Sequence, residues 1–429
     1  MTCITYHHHG FDNKSLYVAK EGIMRERLGF NYIITAGIIW VAALFFSLGF
    51  SPILAYTVAT LTLTLIPIKN VFLRFSLVAI FILGIAIQIS SRQLFVSSSD
   101  DFSNVYIVVY NNIVNKNMSP FYGFFSGGIE FGIPLLFKFF SYIFGKQTYQ
   151  ELMLCLVILN CVIFYYWLEF FAKEKVSKEN LSFFIAIALF IFSSNVTSQL
   201  IRQSYSTCFL LFAISFYQAK DKKYLVFLFL AFIFHVTALP FFFLYNIILG
   251  KNDKYKNIIA VVLFLLSISF LTVFNYLYGL GVLGSASQKL EYYLAGGGEQ
   301  QYFIDGLKYV MLNFIVGFFF IDKEKYPKEW NLIKYCFIYY VLLIPIPLAS
   351  ERGLLLIVTF LPGVLMYFAF NRFNIYFKIL FVLFVLSKSL KLSFLYSPNP
   401  DDVFNLWFYY PWASDAFLYY MKFFSGFIF

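Results

Sequence analysis

Residues 198–240, SQLIRQSYSTCFLLFAISFYQAKDKKYLVFLFLAFIFHVTALP, hold two apolar runs around a short lysine-rich turn (Lys220, Lys222, Lys223). Each run is broken by a demanding group. Arg202 follows Leu200 and Ile201 in the first, and His235 and Pro240 interrupt the second. A run of about 20 apolar residues matches the hydrocarbon thickness of a bilayer. A charge inside it costs about 3 kcal/mol or more unless it faces water, protein or a counter-charge. What satisfies Arg202 is therefore the first question the chain raises.

The rest of the sequence has the same character. Of 429 residues, 61% are hydrophobic and only 13% charged, with mean hydropathy +0.76. No soluble fold of this length buries that much apolar surface, so lipid is the solvent. The expected fold class is all-α: a polytopic integral membrane protein of roughly 12–14 transmembrane or half-membrane helices. The 59 Phe and 33 Tyr read chiefly as a compositional bias. The net charge of +10 is no nucleic-acid signal, because the lysines sit in short loops where they set membrane orientation. The five cysteines have no metal-type spacing and suggest no disulfide framework. Residues 1–30 are polar and basic, with no cleavable signal peptide, and are expected to form a cytoplasmic tail. The histidines at 7–9 in that tail could bind a metal, but a short histidine tract in a tail more often does nothing, and no metal site is expected there.

On either side of this stretch apolar runs recur from residue 31 to 394 and define one multi-pass domain over 31–429. Lysine clusters at 173–178, 220–223, 251–256 and 323–328 all fall on the cytoplasmic side only if two ambiguous stretches return to the side they left. Residues 128–145 are then re-entrant or interfacial. Residues 224–249 are then two half-length helices meeting near His235–Leu239, since the Pro240 ring clashes with the carbonyl of Val236, with a single kinked helix as the alternative. Broken helices at membrane depth persist where protein or a wet cavity satisfies the freed backbone groups. This topology gathers outer loops near 91–130, 280–302 and 395–415, together with Arg92, Arg202, His235 and Arg352, at one face.

In helical geometry Asn195, Ser198, Gln199, Arg202 and Ser206 fall within about 100° of one another, a polar stripe facing a cavity. Arg202 is then either paired structurally with Glu130 or Asp100, or a clamp for a phosphate-bearing lipid, a task suited to a planar, permanently charged fork. Gln199, Gln203, Tyr205 and Arg92 are further candidate substrate contacts. Arg352 is another: Pro345 and Pro347 end one helix and Ser350 is read as the N-cap of the next, which would make an anion site at a helix start. His235 is either a hydrogen-bonded structural residue or one that handles a proton or phosphate. Glu130, after FFSGG, and the pair Asp100–Asp101 are the candidate bases, although the aspartates could equally bind a metal or only solvate their loop. No zinc-type spacing and no phosphate loop occurs, so no metal site and no cofactor is expected. The aromatic stretches SPFYGFF and NLWFYYPW suit sugar rings or an ordinary interfacial belt.

The 198–240 stretch also resembles the EpsG-like and Wzy-type bacterial polysaccharide polymerases. The likeness lies in an IRQ opening a helix, a short lysine-rich loop, and a helix ending in FH before small and apolar residues. DDFSNVY and GGIEFG are similar to upstream features of the same family. The resemblance implies an O-antigen or related surface polysaccharide polymerase in the bacterial inner membrane. Such an enzyme joins undecaprenyl-pyrophosphate-linked oligosaccharide repeats at the periplasmic face, inverting at the anomeric carbon. It further implies a GT-C-like architecture with a periplasmic cavity, membrane lipids around it and a separate chain-length regulator as partner. Glu130 is the expected base, and His235 a second pyrophosphate contact. A flippase for the same lipids, an O-antigen ligase and another lipid-sugar transferase are the rival readings.

Overall fold

A computed structural model describes residues 35–92, 94–95, 100–192, 198–279, 314–346, 349–390 and 417–423. The tail 1–30, the loops expected near 280–302 and 395–415, the histidines at 7–9 and Asn195 lie outside them. Among the described residues all regular structure is helical. In chain order the helices are 35–47 (α1), Pro52–Leu65 (α2), Val71–Ser90 (α3), Ile107–Val114 (α4), Gly132–Phe144 (α5), Tyr149–Ala172 (α6) and Leu181–Ile191 (α7). There follow Ile201–Gln218 (α8), Tyr224–Phe234 (α9), Ala238–Leu249 (α10) and Asp253–Gly279 (α11). The last are Pro327–Leu343 (α12), Ala349–Gly353 (α13), Pro362–Phe370 (α14) and Asn374–Leu390 (α15). Val71–Ser90, Tyr149–Ala172 and the run Pro362–Ser389 are long and apolar enough to cross a bilayer. The protein is an all-α polytopic membrane protein.

Local sequence sets the helix ends. Thr148 accepts from Glu151 N–H while the Glu151 carboxylate takes the Thr148 N–H, a reciprocal cap that starts α6. Ser51 and Asn70 cap α2 and α3, and prolines open α2, α12 and α14, where a missing N–H costs nothing. The apolar run over 351–370 is not one continuous helix. Ahead of Pro362 the backbone widens into a π turn at Leu356–Phe360, closed by Leu361 N–H to Leu356 O. This relieves the clash that a proline ring imposes on the preceding turn.

Close helix packing rests on small residues, as expected where lipid offers no hydrophobic drive. A Cβ on Gly84 would meet Tyr56 Cβ at 2.8 Å and Pro52 O at 2.9 Å, so α2 and α3 touch backbone to backbone. Gly363 lets α14 approach α7, its missing Cβ falling 2.4 Å from Ile187 O. Threonine hydroxyls in α2 bond back to their own helix, as Thr57 does to Ile53 O at 2.7 Å and Thr60 to Tyr56 O at 2.8 Å, so these hydroxyls are satisfied within the apolar layer.

The two ends of the bundle differ chemically. At one end Arg74 forks onto Glu169 (2.6 and 2.9 Å) and onto Ile68 O, tying α3 to α6. Lys175 pairs with Glu329, and Lys328 reaches Gln218, which bonds Asn246. The lysine clusters of the 173–178, 220–223, 251–256 and 323–328 turns thus share this end. Arg202 lies 16 residues from Gln218 along α8, about 24 Å away at 1.5 Å per residue, near the opposite end.

The two ambiguous stretches behave as charge balance requires. The run 224–249 breaks at His235, which is extended (φ −155°, ψ 124°), giving helices of 11 and 12 residues that both have their far ends among the lysines. Segment 128–145 forms the 13-residue α5, with Gly132 against Phe234 and Ile233 O. Its exit stays near Tyr110, whose hydroxyl accepts from Gln147 N–H at 2.8 Å. Neither stretch crosses from one end of the bundle to the other.

Candidate active site

Three chain segments converge on Arg202. The helix carrying it starts at Ile201, after Leu200 leaves helical geometry (φ −90°, ψ 47°), so Arg202 occupies the first turn and not a mid-helix position. The stripe expected over Asn195, Ser198, Gln199, Arg202 and Ser206 is therefore bent over its described part: Ser198 and Ser206 are buried, and Gln199 and Arg202 are half-buried, while Asn195 lies outside the described residues. The Arg202 N–H, one of the groups a helix start leaves free, donates to the Tyr106 hydroxyl at 3.3 Å. Tyr106 ends a π turn over Phe102–Tyr106 that leads into α4.

The second segment delivers Glu130. A 3₁₀ turn at Ser126–Gly128 places Gly127 at φ 66° and Gly128 at φ 93°, conformations that glycine adopts freely. A Cβ on Gly128 would also strike Phe121 O at 2.9 Å. The turn drives the Glu130 side chain into the protein, where none of it is exposed. Its Oε2 lies 2.5 Å from Arg202 Nη1. Phe125, on the same turn, faces the guanidinium at 4.2 Å.

The third segment is the break between α9 and α10. Val236 N–H, freed where the helix stops, donates to Glu130 Oε1 at 3.0 Å, and His235 Nδ1 stands 2.9 Å from the same oxygen. The carboxylate therefore joins two helix starts and two basic side chains. Glu130 lies in the turn ahead of α5, outside the spanning helices. Burial alone raises its carboxyl, but His235, the Val236 N–H and Arg202 together outweigh burial and hold it at about 2. It is ionised at any working pH. Arg202 keeps 26% of its side chain exposed and His235 19%, so both remain reachable while Glu130 does not.

Other candidates take different places. Asp100 and Arg92, expected as a base and a ligand contact, are turned on each other at 2.8 Å with both buried. Ser103 and Phe102 N–H complete the carboxylate's shell. Asp101 is half-buried at the start of the π turn. Tyr205 is buried, donates to Leu156 O at 2.7 Å and stacks on Phe234; its hydroxyl is committed within the protein. Gln203 is buried and donates to Arg352 O at 2.5 Å, linking α8 to α13. Ser350 is not an N-cap: it lies inside the five-residue α13, too short to act as an anion-binding helix start, with half-buried Arg352 in its last turn. Among the described residues no three His, Cys, Asp or Glu side chains converge on a metal position.

Sequence reading passed over Tyr106 and Phe125 as site residues. Both stood in stretches already singled out, DDFSNVY and SPFYGFF, but nothing in residue type tells a ring that supports an arginine from one that lies in an interfacial belt.

The family model for the EpsG family matches residues 75–410, well over half of the 429-residue chain and all three segments of the site. No curated protein and no solved structure matches the chain. By its helical membrane architecture and this match, the chain belongs to the EpsG family, with the membrane polysaccharide-polymerase type of function that the family carries.

Proposed function

We propose that this protein is a polymerase for a surface polysaccharide of the O-antigen kind, joining polyprenyl-pyrophosphate-linked oligosaccharide repeats at the face of the membrane away from the cytosol. The supporting observation is Arg202: a guanidinium held by Glu130 and Phe125 in the first turn of α8, yet a quarter exposed. Undecaprenyl pyrophosphate is the leaving group in this reading. A fixed positive group at a helix start stabilises the charge that grows on the departing diphosphate. Arg352, joined to α8 through Gln203, is the second cation within the same region. The GT-C likeness, the periplasmic sidedness, inversion and a chain-length partner belong to the same proposal. In it the lysine-rich end faces the cytosol, following the positive-inside rule.

The test is a product ladder. Full-length protein in liposomes receives lipid-linked repeats, extracted from cells that make this protein, on the side of Arg202. Lengthening chains support the proposal. Movement of single repeats between leaflets without growth would assign a flippase, and growth that requires lipid A core would assign a ligase.

A further inference from the structure

We propose that Glu130 and His235 act as a dyad in which Glu130 is a positioning residue and the Nε2 of His235 is the general base. This deepens the polymerase reading and rests on it. Glu130 was the expected base from sequence, but its side chain is fully buried. Oε2 is on Arg202, and Oε1 faces both Val236 N–H and His235 Nδ1. An oxygen in that setting cannot touch an acceptor hydroxyl. His235 is different, because its ring is partly exposed and only Nδ1 is turned to the carboxylate.

A carboxylate against one ring nitrogen fixes the tautomer: Nδ1 carries the hydrogen and Nε2 presents a lone pair. The Nδ1 contact is at bonding distance but off line in this state, as catalytic pairs often are before substrate tightens them. Among the described residues, the ion pairs that reach the ring are those of Glu130 and, through it, Arg202. One carboxylate therefore orients both halves of the reaction, the base by Oε1 and the leaving-group cation by Oε2. The helix break at His235 has a role as well: its extended backbone frees the Val236 N–H that anchors Oε1.

The step balances. The acceptor hydroxyl oxygen forms a bond to the anomeric carbon of the donor sugar. The bond from that carbon to the pyrophosphate oxygen breaks, and its electron pair leaves with polyprenyl pyrophosphate toward Arg202. The hydroxyl proton passes to His235 Nε2. The imidazolium so formed is countered by Glu130 until the proton is lost to water.

The first test needs no turnover. His235 is the sole histidine beyond residues 7–9, so ¹⁵N-histidine NMR of the full chain in nanodiscs, with His235→Asn as the blank, reads its tautomer directly. A neutral ring protonated on Nδ1 is expected, and one protonated on Nε2 overturns the dyad. The second test uses chain growth. His235→Ala should lower kcat about 10²- to 10⁴-fold with KM little changed, and added imidazole should restore part of it. Glu130→Gln should lower kcat without imidazole rescue, whereas Glu130→Asp, which keeps the charge, should retain more activity than Glu130→Gln. Failure of imidazole to rescue His235→Ala, or wild-type kcat in Glu130→Gln, refutes the assignment. If the wild type shows the expected tautomer but builds no chains, the polymerase reading falls and the dyad geometry stands.

Discussion

Replacing Arg202 by lysine isolates what the guanidinium contributes. Arg202→Ala is a poor probe, because it takes the guanidinium from Oε2 of the fully buried Glu130 carboxylate, and breaking a buried pair in that way costs up to about 3–5 kcal/mol of stability. Lysine keeps a positive charge for Glu130 and for the Phe125 face, so the fold is retained. What it loses is the fork. Arg202 can hold Glu130 through Nη1 while its exposed portion meets a phosphate, whereas a single ammonium cannot serve both with fixed geometry. One charge-assisted hydrogen bond contributes about 1.5–3 kcal/mol, which corresponds to a loss of about 10- to 150-fold in kcat/KM. The assay is initial chain growth in liposomes over a range of donor concentrations, alongside thermal unfolding in detergent to confirm the fold. Wild-type kcat/KM in a folded Arg202→Lys protein would refute the clamp.

Further outcomes follow from the same geometry. Asp100→Asn should destabilise the protein by about 3–5 kcal/mol, since it leaves Arg92 buried without its counter-charge; the folded fraction, measured by size-exclusion chromatography, should retain its specific activity. Tyr205→Phe removes only the bond to Leu156 O, so it should cost about 1 kcal/mol in thermal unfolding and leave KM unchanged. Gly363→Val forces α14 away from Ile187 O and should lower stability by about 1–3 kcal/mol, read from the same melts. Because Glu130 is held at about 2 in the fold against about 4.3 in an unfolded chain, its contribution to stability is complete above about pH 4.3. It is lost as pH falls toward 2, and the acid unfolding curve of Glu130→Gln should be flatter over that window.

The fold was legible where lipid physics leaves few options. Apolar run length marked helices such as Val71–Ser90 and Tyr149–Ala172 but not α4 or the interruption ahead of Pro362, lysine counts required 128–145 and 224–249 to turn back, and Pro240 marked the neighbourhood of the break. The break itself falls at His235, ahead of the proline, and its freed N–H is taken by a carboxylate that lies 106 positions earlier in the chain. Pairing at such range leaves no trace in local pattern. Arg202, Glu130 and His235 were recognisable singly, as polar groups within or beside apolar runs. Their shared geometry was not, and neither was the mutual burial of Arg92 and Asp100, two charges that in sequence look as available to a ligand as Arg202 does. The N-cap expected at Ser350 failed because the chain makes only a five-residue turn before the π turn ahead of Pro362.

The most direct measurement is a structure of the full-length protein with polyprenyl pyrophosphate bound. The diphosphate is expected within hydrogen-bonding distance of the Arg202 guanidinium, with Glu130 still bridging Arg202 and His235. A diphosphate seated elsewhere, beside an unaltered Arg202–Glu130 pair, would contradict the account.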